Sequence, residues 1–233
     1  MRGVRSHSRY KDDPLGRLSG TIRWLTITTY GSHAALAHEA GRVNCMHQRV
    51  KGQYQNAAHE TKNYRADDPD LLRWVHIAFM ESFLRSHQNF SVEPLPGGAD
   101  SYIRLWAKSV VPLGLNQVPH NEVELLSELA RYQPELVVTE ATREVIAWIQ
   151  NPPLPVASRP MYALLFRSAI ASLPETYQQM IGLWAPPLKS IRPVTRGVLQ
   201  FMRFAIGPEN PIADAAMARL HRIGIMTDGK VMA

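Results

Sequence analysis

A chain of 233 residues that is 45% hydrophobic and 20% charged buries one substantial core and needs no more than one domain, expected over residues 1–233. Its formal charge of +6 suits a polyanion, but the 26 basic residues are scattered, with nothing denser than Arg42, Arg49 and Lys51 or the stretch from Lys189 to Arg203, so no nucleic-acid partner is expected. The single cysteine, Cys45, excludes a disulfide framework and any multi-cysteine metal or iron–sulfur site. No signal-type apolar segment follows the basic start, and no apolar run reaches the roughly 18 residues of a membrane span, so a cytoplasmic protein is expected, with peripheral membrane contact left open.

Between the 17 prolines the apolar residues recur at spacings of 3 and 4, which predicts an all-α fold, a single-domain bundle of many helices. A first helix is expected from about Leu15 to Thr29, broken by Gly31-Ser32, and a second from about His33 to Gln53. The third has the clearest start: Asp68 caps, Pro69 takes the first helical position, Asp70 sits in the first turn, and Leu71, Leu72, Val75, Phe79, Phe83 and Leu84 form an apolar face. Pro94 to Gly98 marks a loop. Further helices are predicted over 100–111, 121–132, 140–150, 159–171, 174–184, 192–205 and 213–222, with the tail from residue 206 onward expected to be partly frayed.

Two helices each carry an inward histidine. His47 shares a predicted face with Val43, Met46, Val50 and Tyr54, and His76 with Leu72, Phe79, Met80 and Phe83. A buried neutral imidazole needs a partner for its N–H, so each is either a hydrogen-bonded core residue or a ligand. Zinc is a poor explanation, because neither helix offers a second ligand at i+3 or i+4. One axial imidazole in an apolar pocket does satisfy a b-type haem, and no Cys-x-x-Cys-His attachment motif is present. Arg17 and Thr21 stack on one face of the first helix, with Trp24, Leu25 and Thr28 further along. They are either a surface arginine and a back-bonded threonine, or a guanidinium and a hydroxyl facing one cavity. Asp67, Asp68 and Asp70 resemble a carboxylate cluster, but helix capping explains them more simply.

The ordered strings SHSRYKDDPLGRLSGT, RVNCMHQRVKGQY and YRADDPDLLRWVHIAFMESFL, followed by LGL, VP and PPLP, resemble the oxygenase family that joins the fungal mycophenolic-acid-pathway oxygenase to the bacterial latex clearing proteins (rubber oxygenases). The clear motifs span residues 3–155. The resemblance implies an all-helical domain enclosing one non-covalent haem b, and an activity on a hydrophobic, isoprenoid-like substrate with dioxygen.

By motif, the resemblance implies that His47 is the axial iron ligand, that Arg17 and Thr21 serve the haem site and its catalysis, and that His76 supports the haem pocket. Latex-type relatives place a lysine directly before the threonine, where this chain has Gly20, which argues against rubber cleavage itself. The helical segment that relatives usually carry ahead of these motifs is expected to be absent. The alternative class is a non-catalytic helical binder of haem or lipid.

Overall fold

The computed structural model describes residues 14–55, 60–207, 209–227 and 230–231. Among them the chain forms ten α-helices, short 3-10 segments and two small antiparallel hairpins. Helix α1 (Pro14–Tyr30) meets α2 (His33–Arg49) across a two-residue connection. Gly31 donates its N–H to Ile27 O at 2.8 Å, and a Cβ at this position would collide with that same carbonyl, so the turn is reserved for glycine. Ser32 then caps α2, its Oγ accepting from Ala35 N–H at 3.2 Å.

The second helix ends at Arg49, four residues before the sequence-based boundary. Strand β1 (Lys51–Gln55) follows and pairs with β2 (Thr61–Arg65) in register Gly52 to Tyr64. The apolar spacing that carried the expected helix onward to Tyr54 belongs to a strand. At Gly52 a Cβ would lie 2.6 Å from the Tyr64 ring, a close approach that a helix could not use. Tyr54 therefore shares no helical face with His47, and Val50 is only the C-cap.

Helix α3 (Pro69–Phe90) begins as expected: Asp68 accepts from Asp70 N–H at 2.9 Å, with Pro69 in the first turn. It is the axis of the molecule, packing against α4 (Gly98–Ala107), α5 (Glu122–Tyr132), α7 (Arg159–Ser172) and α9 (Leu188–Ile206). Ile77, Met80 and Leu84 of α3 form the main core with Ile103, Leu125 and Tyr132. The Tyr132 hydroxyl closes the α3–α5 contact by donating to Asp70 Oδ1 at 2.6 Å. A second apolar cluster, Ala107, Val110, Leu115 and Val118, surrounds the 3-10 segment Lys108–Leu113, on which α2 packs.

Helices α6 (Glu140–Gln150) and α8 (Glu175–Ile181) precede and follow α7 along the chain. Helix α9 runs from Leu188, with Pro193 inside it, so it begins one turn earlier than expected. It is fastened to α7 by a buried hydroxyl pair, Ser168 Oγ to Thr195 Oγ1 at 2.6 Å. Helix α10 (Pro211–Arg222) returns to α1, where Arg219 donates to Tyr30 O at 2.7 Å. Strands β3 (Met226–Thr227) and β4 (Lys230–Val231) pair after it. The expected all-α architecture holds, with the hairpins as small additions.

Candidate functional site

The hairpin α1–α2 is held by one carboxylate. Glu39 is fully buried, and its oxygens accept from Arg23 Nε at 3.0 Å and from Arg42 Nη2 at 2.6 Å. The Arg42 hydrogen bond foremost, then the charges of both guanidiniums, hold the Glu39 carboxyl below the usual carboxylate range against the opposing effect of burial. From this link Thr21 and Arg17 lie two and six residues toward the start of α1, and His47 lies eight residues toward the end of α2. All three are therefore on the side of the link away from the Gly31-Ser32 turn, Arg17 about 9 Å and His47 about 12 Å along their helices at ~1.5 Å per residue. Thr21 is half-buried in line with Trp24, Leu25 and Thr28, the face expected from its spacing. The side chain of Arg17 and the motif residues 6–13 lie outside the described residues.

His47 continues the α2 face of Leu36, Ala40 and Val43, the last two buried. It is half-buried rather than enclosed, and its neighbour Met46 is exposed. Its Nδ1 is buried with no hydrogen-bond partner. Burial pushes its pKa below the ordinary histidine value, partly opposed by the charge of Asp67. The imidazole is thus neutral at pH 7 and offers a lone pair.

Asp67 is a residue that sequence reasoning assigned to capping. Of the three carboxylates, Asp68 caps α3 and Asp70 takes the Tyr132 hydroxyl, while Asp67 forks with Arg65, Oδ1 to Nε at 2.9 Å and Oδ2 to Nη2 at 2.7 Å. One cap does not need three acids, and that surplus was the available signal.

His76 is 7% exposed, in the middle of α3. Burial pushes its pKa down to about 4, and its Nε2 is enclosed without a partner. Its ring lies 6.3 Å from Trp106, which contacts Phe83 at 5.4 Å and Tyr102 at 5.7 Å; Phe79 stacks on Phe83 at 5.8 Å. The Trp106 Nε1 is likewise buried without a partner. This aromatic wall continues into exposed apolar surface at Val75, Phe79 and Phe83, and Leu18 and Ile22 of α1 are exposed as well.

Two inward histidines are thus present, in unlike settings, and no direct bond joins His47 to His76. Among the described residues no group of three or more His, Cys, Asp or Glu could hold a bare metal ion. A haem requires one imidazole and an apolar wall, and the residue types fit that donor set: His47 offers an unsatisfied nitrogen with exposed Met46 next to it, and His76 stands at an aromatic wall. Two clefts on the surface, one lined by Leu154, Met161 and Leu165 and one by Phe83, Phe90 and Leu199, include none of Thr21, His47 or His76.

No helix among the described residues is long and apolar enough to cross a membrane. No curated protein and no solved structure matches the chain significantly. Residues 1–205 match the family described as "ER-bound oxygenase mpaB/B'/Rubber oxygenase, catalytic domain".

Proposed function

From the premise that the chain belongs to the mpaB and rubber oxygenase catalytic-domain family, we propose that it is a haem b-dependent oxygenase acting on a hydrophobic, isoprenoid-like small molecule with dioxygen. The family match carries the reading. The unsatisfied nitrogen of His47, next to exposed Met46, and that of His76, beside the Trp106 and Phe83 rings, support it, because a flat apolar group with one coordination position would suit either setting.

His47 is the residue that holds the iron. Its depressed pKa keeps the imidazole unprotonated, so no proton has to leave before it coordinates. Asp67, whose negative charge acts on that ring, partly opposes the loss of basicity that burial causes and so keeps the ring a good donor. Arg17 and Thr21 contribute a cation and a hydroxyl at the open end of the hairpin, suited to binding a propionate and orienting oxygen by hydrogen bonds. His76, Trp106 and Phe83 form the apolar wall that excludes water from the reacting centre. Haem b, when bound, supplies the redox chemistry that activates dioxygen toward the substrate.

The protein purified with haem supplied is expected to show a Soret band that His47→Ala removes or shifts, while His76→Ala alters its intensity and leaves the axial-ligand signature. No Soret band in the parent, or an unchanged signature in His47→Ala, overturns the assignment. If the haem spectrum is intact but no oxygen is consumed with a panel of terpenoids and unsaturated lipids, the non-catalytic binder is the correct class.

A further inference from the structure

Two arginines of helix α9 are half-buried against α3. Arg192, Arg196 and Arg203 fall at i, i+4 and i+11, one face of the helix; Arg192 Nη2 donates to Asn89 Oδ1 at 2.9 Å and Arg196 Nε to Asn89 O at 3.1 Å, while Arg203, nearer the helix end, is exposed. The outward face carries exposed Val194, Phe201 and Phe204. A half-buried guanidinium is normally compensated by a carboxylate. Here Arg203 has one, Glu93 at 3.1 Å, whereas Arg192 and Arg196 reach only the neutral amide and carbonyl of a single asparagine, and among the described residues neither has an acid within ion-pairing distance. The Arg192 Nε is buried with no partner at all.

Beside these arginines a cleft of about 340 Å³ opens between α3 and α9. One wall is apolar, made of Phe83, Phe90, Val92 and Leu199, and the polar wall is His87, Arg196 and Arg203, with Ser86, Ser91 and Gln200 between them. The His87 Nε2 is also buried and unpartnered. The volume is at the lower end of the roughly 300–1,000 Å³ of small-molecule sites, which suits one chain rather than a ring system or a two-chain lipid.

We infer that this α3–α9 cleft is a binding site for a single-chain amphiphile with one carboxylate head, the chain lying along Phe83, Phe90 and Leu199 and the head between Arg196 and Arg203. Two guanidiniums, Arg196 and Arg203, line the cleft and the one carboxylate beside them, Glu93, is held by Arg203, so the cleft is short of negative charge, an anion completes it and a cation is rejected. A planar carboxylate takes two parallel N–H donors from a guanidinium, which a neutral alcohol cannot match. The cleft includes none of Thr21, His47 and His76 and shares Phe83 with the wall assigned above to the haem site; the inference stands whether or not haem is bound.

The test is titration of the purified full chain, without added haem, with decanoate, decan-1-ol and decyltrimethylammonium, followed by calorimetry and by quenching of tryptophan emission, since Trp106 contacts Phe83. Decanoate is expected to bind at least tenfold more tightly than decanol, a margin typical of a charge-assisted hydrogen bond, and decyltrimethylammonium not to bind. Arg203→Ala, an exposed position near the end of α9, should weaken decanoate about tenfold without changing decanol. Leu199→Trp, which fills the cleft, should abolish binding of both, with circular dichroism verifying that the variant is folded; Leu199→Phe provides a milder filling if it is not. His47→Ala should bind decanoate as the parent does. Equal affinities for decanoate and decanol, undiminished binding in folded Leu199→Trp or Leu199→Phe, or loss of binding in His47→Ala would each overturn the inference.

Discussion

His76 and His47 sit on helices that are held in different ways. Helix α3 is packed by α4, α5, α7 and α9, and around His76 the side chains of Ile77, Met80 and Ile103 are fully buried. Helix α2 is held at one edge by the 3-10 segment Lys108–Leu113 and to α1 by the Glu39 ion pairs, and it ends beside exposed Met46. Burial supplies most of the stability in the first region, while geometry is set by a few directed bonds in the second. The proposed iron ligand, His47, thus stands at an edge, and the proposed wall residue, His76, in the packed interior.

The sharpest way to break this contrast is truncation. Leu125→Ala in the α3–α5 core is expected to cost about 2–5 kcal/mol of unfolding free energy, and Met46→Ala no more than about 0.5 kcal/mol. Chemical denaturation of both would erase the contrast if the two costs were equal.

A step smaller is the pH dependence of His76. Its folded pKa of about 4 lies below its ordinary value of 6.5, so between those values the unfolded chain binds the extra proton and stability falls as pH falls. The whole effect amounts to about 3 kcal/mol at 1.36 kcal/mol per unit. Denaturant midpoints measured from pH 7.5 to 4.5 should drop less steeply in His76→Leu than in the parent.

Glu39 has the opposite kind of shift. Its depressed carboxyl pKa means that its contribution is present above the unfolded carboxylate value and is lost as pH falls through the folded one. Because both arginines are about half exposed to solvent, Glu39→Gln is expected to cost only about 2 kcal/mol at pH 7, and that cost should vanish in acid. The smallest effect belongs to the α3 cap: Asp68→Ala should lower stability by about 1 kcal/mol and leave any haem spectrum untouched.

Much of the fold was legible because its punctuation is local. Asp68-Pro69, Gly31-Ser32 and Asn121 declare helix starts by chemistry that acts within one turn, and the structure uses all three. The end of α2 was not legible, since Val50 and Tyr54 keep the helical period and only the Tyr64 ring across the hairpin makes Gly52 a strand residue. Nothing local marks Glu39, one acid on an alanine-rich helix; its partner Arg23 is sixteen residues away. In the site, the residue types could be read from the motif strings, but the distinct surroundings of His47 and His76, and the separate task of Asp67, arise from long-range packing that the period of a single helix does not encode.

The Glu39 link has a consequence for chain length. Because it fixes where α1 lies against α2, adding one residue between Thr21 and Arg23 would turn Thr21 and Arg17 by about 100° and displace them by ~1.5 Å relative to His47, whereas adding one before Arg17 would move none of the three. The stretch from residue 17 to residue 47 therefore behaves as a ruler whose count cannot change.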